Sequence, residues 1–213
     1  MKHLVIIGAR GFGREVYNYA LKSIGYGDVF EVKGYLDGKS DALDGYEGYP
    51  AILSSVEDYE VQPDDIFVCA LGDVKWKKHY AQMILDKGGV FPPLIHREAK
   101  ISSNVVIGEG CIICPDCRIS CDVKIGKFTT IQPNVFIGHD GRIGEWCHIN
   151  TFAAINGFVS VGDFVTIHTS AIVVPKVSVG DNATIGAGSV ALNNVDANAT
   201  VFGNPARAIF RRE

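Results

Sequence analysis

The sequence predicts an α/β N-terminal domain with a small parallel sheet, followed by an all-β parallel helix of about five coils. Three observations predict it. Short apolar runs alternate with helically spaced segments through residues 1–95. Ile or Val then stands at every sixth position from Ile101 to Ile185. An aliphatic-Gly pair recurs every eighteen residues on top of that, at Ile107-Gly108, Ile125-Gly126, Ile143-Gly144, Val161-Gly162 and Val179-Gly180.

The first element is the buried strand Leu4-Val5-Ile6-Ile7, which runs into the glycine turn Gly8 to Gly13. Val16, Tyr17, Ala20, Leu21 and Ile24 share one face of a helix from Arg14 to Ile24. Phe30 to Leu36 reads as a second strand ending at Asp37-Gly38, and Asp65 to Leu71 as a third. A basic helix spans Asp73 to Lys87, and Pro92-Pro93 marks the boundary between a domain at 1–95 and one at 96–213. About three residues in ten are Ile or Val in the second domain. Fifteen consecutive hits at a spacing of six then have a chance probability on the order of 10⁻⁸.

Four residues after each hexad aliphatic comes a side chain that is never bulky, such as Cys111, Thr129, Ala153 or Ser189. Two inward positions flanking one outward residue make a short strand. The residue three after the aliphatic is often Asn, Asp or Gly (Asn104, Asp116, Asn134, Asp140), which tolerate the left-handed backbone of a tight corner. Three hexads make one coil of a triangular prism, and five coils at ~4.8 Å per layer stand roughly 24 Å tall.

This repeat resembles the left-handed parallel β-helix of hexapeptide-repeat acyltransferases, and Val201-Phe202-Gly203-Asn204-Pro205-Ala206 resembles their usual exit from the helix. With Ile7-Gly8-Ala9-Arg10-Gly11-Phe12-Gly13 in front and Gly138-His139-Asp140 in the middle, the whole chain is similar to the sialic-acid O-acetyltransferase and bacillosamine N-acetyltransferase family. The handedness is what the resemblance implies. So are a nucleotide-linked sugar in a Rossmann-like N-terminal domain, acetyl-CoA as co-substrate lying between adjacent prisms, and a homotrimer. Phe12 stands where these enzymes often have His, and Gly38 where a second Asp is common.

The residues supply their own reasons for candidate sites. Backbone N–H groups at Gly11, Phe12 and Gly13 open a helix and suit a phosphate. Asp37 ends the second strand, where a carboxylate accepts from a ribose hydroxyl or a base. Nothing in the repeat demands a His at position 139, and imidazole suits a general base at neutral pH. Asp140 sits at a corner position that favours Asp anyway; its functional reading is a carboxylate that orients the imidazole. Gly157 lies one coil above His139 and is placed to expose an N–H. Thr151, Thr169 and Ala187 form a column of small residues, a groove for a pantetheine arm. His148 precedes inward Ile149, so it is expected to point outward. It stands half a coil from His139, which fits a site shared between subunits. Arg207, Arg211 and Arg212 are candidates for the CoA phosphates.

Other chemistries are weaker. Cys111, Cys114, Cys117 and Cys121 have iron–sulfur spacing, but the repeat frame sends two inward and two to corners, so no metal site is expected. A net charge of −4 excludes a broad basic footprint for nucleic acid or anionic membrane. No apolar run approaches the ~18 residues of a membrane span. A cytoplasmic enzyme is expected, with N-acetylation of a nucleotide-linked amino sugar leading. O-acetylation of a sugar such as sialic acid, a non-catalytic β-helix scaffold and a nicotinamide-dependent oxidoreductase are the rivals.

Overall fold

The structure, a computed structural model, describes residues 1–211. The chain forms two compact units, Met1–Arg97 and a second beginning at Glu98.

The first unit is built on four parallel strands: β1 (Lys2–Ile7), β2 (Phe30–Leu36), β3 (Ile52–Ser54) and β4 (Asp65–Cys69), in the order β3-β2-β1-β4. Leu4 to Ile7 and Ile66 to Cys69 are buried without alternation, as strands covered on both faces must be. Helix α1 (Gly11–Ala20) begins three residues before the expected Arg14, because the last glycines of the turn already form its first turn. It ends before Ile24; the Ser23 hydroxyl donates to the Tyr19 carbonyl at 2.9 Å as the chain turns away. Helix α2 (Val74–Asp86) starts where its cap dictates. The Asp73 carboxylate accepts from the N–H groups of Lys75 at 2.9 Å and Trp76 at 3.1 Å. Strand β3 is too short to have a sequence signature, and the unit closes with β5 (Leu94–Ile95).

The second unit carries sixteen two-residue strands, from β6 (Lys100–Ile101) to β21 (Val190–Ala191), among the described residues. Strands pair in parallel with those eighteen residues on, as Lys124 with Arg142 and Phe136 with Ala154. One face runs β7-β10-β13-β16-β19 and the next β6-β9-β12-β15-β18-β21, so β6 to β21 spans five coils. Hexad aliphatics from Ile113 to Ile185 are at most 4% exposed. Ile101 is 36% exposed, because it belongs to the first coil and has a neighbour on one side only.

The corners adopt the left-handed backbone throughout: Asn104, Asp116, Asp122, Asn134, Asp140 and Asn182 all have φ between 57° and 61°. Phe128, Trp146, Phe152, Phe158 and Phe164 hold the same conformation, φ 55° to 63°, without the side chains that favour it. The coil geometry imposes it, at a cost of roughly 1–2 kcal/mol per residue. Phe128 and Trp146 offset part of that by stacking one above the other, centroids 4.2 Å apart and planes within 3°. The third face continues through β20 (Thr184–Ile185) to β22 (Ala199–Gly203), where the register shortens: Thr184 pairs with Thr200, sixteen residues on. Strand β23 (Ala206–Arg211) folds back antiparallel on β22, and this hairpin ends the coil.

Candidate functional site

His139 follows β12 (Phe136–Ile137) at a corner of the prism. Its Nδ1 lies 2.9 Å from Asp140 Oδ2, with the side chains 52% and 46% exposed. An ionised carboxylate only accepts, so this bond places the ring proton on Nδ1 and leaves the Nε2 lone pair open. Gly157 lies directly over the imidazole; a Cβ there would stand 2.8 Å from Nε2. Gly138 is required in turn, since its Cβ would meet Gly157 N at 2.5 Å. The Phe158 N–H donates to the His139 carbonyl at 3.0 Å, and the Phe158 ring meets the imidazole edge-to-face at 5.0 Å. Gly157 accepts at its carbonyl from Lys176 N–H, while its own N–H has no hydrogen-bond partner among the described residues. Asp140 and Phe158 also wall a cavity of 360 Å³ with Asp122, Arg142, Val159 and Ser160, which neither His139 nor Gly157 lines. The corner thus combines an oriented imidazole and an unspent backbone donor.

His148 is less accessible than expected of an outward-pointing residue. It does precede inward Ile149, yet it is only 8% exposed, with its Nε2 3.3 Å from Gln132 Nε2. Strand parity sets which way a side chain leaves the prism, not whether something covers it. Its ladder neighbour Thr130 is buried too. Thr169 and Ala187 are exposed, one coil apart, with Gly188 N–H donating to the Thr169 carbonyl between them. Arg207 is exposed, Arg211 pairs with Asp196 at 2.6 Å, and Arg212 lies outside the described residues.

Cys114 is fully buried although it falls at a corner, as are Cys111 and Cys117 in the inward column. Cys111 and Cys117 donate to backbone carbonyls at 3.0 and 3.1 Å, and burial pushes the Cys117 thiol up to about 12. Protonated thiols therefore serve as core donors here.

A second concavity, of 430 Å³, opens in the N-terminal unit at the C-terminal ends of β1, β2 and β4. That is the usual ligand crevice of an open parallel sheet. Phe12, Gly13, Asp37 and Gly38 line it. Gly8, at φ 96°, makes the turn, and a side chain at Gly13 would strike the Gly8 carbonyl. Gly11 is exposed and open. No side chain caps α1. Asp37 does more than wait for a ligand: Oδ2 accepts from Ala9 N–H at 2.9 Å and Oδ1 from Lys39 N–H at 3.0 Å, so the carboxylate ties the glycine turn to the end of β2. Sequence reasoning missed Arg10, Lys39, Trp76 and Tyr80, which also line this cleft. Trp76 and Tyr80, four apart on α2, carried a signal: two aromatics off the buried stripe.

Residues 3–84 match the family model described as PglD N-terminal domain, and residues 158–192 that described as bacterial transferase hexapeptide (six repeats). No curated protein sequence matches the chain. Among solved structures, the chain is similar to PerB from Caulobacter crescentus in complex with CoA and GDP-perosamine. The TM-score is 0.88 at 26% identity, covering 99% of this chain and 98% of that one. It is likewise similar to the acetyltransferase domain of PglB from Neisseria gonorrhoeae FA1090 in complex with acetyl coenzyme A, with TM-score 0.88, 25% identity and coverage of 98% and 99%. A third similar structure is WeeI from Acinetobacter baumannii AYE, with TM-score 0.85, 26% identity and coverage of 98% and 100%.

Proposed function

We propose that this chain, a hexapeptide-repeat acyltransferase with a PglD-type N-terminal domain, transfers the acetyl group of acetyl-CoA to the amino group of a nucleotide-linked sugar. The similar PerB structure holds CoA together with a GDP-linked sugar, which supports both substrates. The observation that carries the reading is the exposed His139–Asp140 pair at 2.9 Å, set beneath the unsubstituted Gly157.

His139 Nε2 takes the proton from the amine as its nitrogen attacks the thioester carbonyl. A C–N bond forms, and the carbonyl oxygen becomes an oxyanion. The Gly157 N–H, without another partner among the described residues, is the donor for that charge. The C–S bond then breaks, and the imidazolium returns its proton to the departing CoA thiolate. Asp140 holds the ring in the tautomer that keeps Nε2 basic and stabilises the imidazolium. Thr169 and Ala187 line the groove for the pantetheine arm. The turn at Gly11, Phe12 and Gly13, with Asp37 behind it, receives the nucleotide diphosphate.

The working assembly in this reading is a homotrimer with the site completed across subunits. On the β6–β21 face, Phe136, Ala154, Ile172 and Val190 project from successive strands. Phe136 and Ile172 are 40% and 39% exposed. This apolar ladder adjoins His139, and a second copy would cover it. With His148 buried, the shared-site reading rests on the ladder and not on that histidine. No helix is long and apolar enough to cross a membrane among the described residues. Six free cysteines fit a reducing cytoplasm.

The test is acetyl-CoA incubated with UDP-, GDP- and dTDP-linked amino sugars and with free sialic acid, read by thiol release. Release with a nucleotide-linked amine supports the reading. Release with sialic acid alone moves the acceptor to a hydroxyl, and release with none overturns the assignment.

A further inference from the structure

The start of α2 presents an aromatic surface that neither the glycine turn nor the acetyl-transfer corner uses. The inward stripe of this helix is Lys77, Ala81 and Ile84, all buried. Trp76 and Tyr80 stand on another stripe, four residues apart, and both line the 430 Å³ cleft. Their rings stack with centroids 5.8 Å apart and planes inclined by 24°, and His79 meets the indole edge-on at 5.7 Å. The indole is nevertheless 56% exposed, although Trp is usually well buried. Its backbone is pinned by the Asp73 cap bond to the Trp76 N–H. Asp37 lines the same cleft as this aromatic pair.

We propose that Trp76 is the stacking platform for the nucleobase of the nucleotide-linked acceptor. Tyr80 and His79 hold the indole plane from the side and edge that the ligand does not use. The inference rests on the reading of the cleft as a nucleotide site and adds the residue that grips the base. Every base has a π-face, so the platform supplies affinity without choosing among bases. The other parts of the cleft address other parts of the ligand: backbone N–H groups and Arg10 suit the diphosphate, and Asp37 the ribose.

The chain has two tryptophans, and Trp146 is 7% exposed in the β-helix. A Trp146→Phe variant leaves Trp76 as the sole indole emitter. Titration with UDP or GDP should quench it, and a hexose 1-phosphate, which has no base, should not. In the otherwise natural protein, Trp76→Ala should raise both the Kd of the nucleoside diphosphate and the KM of the acceptor roughly 10-fold. The KM for acetyl-CoA should stay unchanged, and Trp76→Phe should restore most of the loss. Calorimetry with the same ligands separates two failures. Nucleotide binding with an unaltered Kd in Trp76→Ala overturns the platform and leaves the nucleotide site standing. Absence of binding by every nucleoside diphosphate overturns the nucleotide reading and the platform with it.

Discussion

His139 and Gly157 lie one coil apart, and the ring occupies the space that a side chain at 157 would fill. If His139 is the base, removing it and crowding it should have related effects. His139→Ala should lower kcat at least ~10²-fold. Gly157→Ala should lower it by roughly 10-fold or more, because the new methyl displaces Nε2 from its attack position. Neither change empties the core, and His139 is 52% exposed, so the melting temperatures should stay close to that of the natural protein. Steady-state kinetics paired with thermal melts checks this. Unaltered kcat in His139→Ala would remove it from the mechanism. The identity of His139 as an anomaly was legible in the sequence, since no corner demands histidine. Its clamp by Asp140 and Phe158 was only half legible. Asp140 suits the corner on backbone grounds alone, and Phe158 reaches the ring only because the coil closes.

At the scale of elements, the N-terminal sheet is tied together by a polar cluster that no local pattern announces. Lys33 on β2 donates to Asp65 on β4 and to Tyr59, each at 2.8 Å, and Tyr59 donates to the second Asp65 oxygen at 2.7 Å. Asp65 is 3% exposed. Burial is the largest single influence on its carboxyl and raises its pKa. The bonds from Lys33, Tyr59 and the Gln62 N–H together outweigh burial and hold it below the ordinary value. A lowered folded pKa means that the unfolded chain takes up the proton first as pH falls. The stabilisation is complete above the ordinary Asp value of about 3.9 and is lost as pH drops through the lower folded value. Asp65→Asn should cost about 3 kcal/mol at pH 7, by leaving Lys33 facing a neutral partner. Urea unfolding should show the gap between variant and natural protein closing as pH falls below about 4. A gap independent of pH would mean that the cluster acts through shape alone.

At the scale of the molecule, the prediction concerns the apolar ladder on the β6–β21 face. If a second and third copy cover it, the natural protein should sediment near three times 23.0 kDa. Phe136→Asp combined with Ile172→Asp should then yield a single-chain species with an intact circular dichroism spectrum and little turnover, although His139 is untouched. An active single-chain species would overturn the shared site.

The sequence by itself determined the β-helix, its coil length, its inward columns and its corners. A solenoid repeats one local solution, so each hexad states the same constraint and fifteen of them agree. It also determined the strand–turn–helix at Gly8 to Gly13, because a close approach such as that of Gly13 to the Gly8 carbonyl excludes any side chain. Tertiary structure alone decided the rest. Parity along a strand gave His148 its direction, but burial is a property of what lies opposite, and Gln132 is sixteen residues away in sequence. Asp37 was legible as a carboxylate at a strand end, whereas its bonds to Ala9 and Lys39 depend on β1 and β2 lying side by side. Trp76 and Tyr80 enter a cleft only once α2 returns beside β4. Repetition and steric exclusion are local and can be read along the chain. Burial, pairing and concavity arise between segments distant in sequence, and their partners exist only in the folded protein.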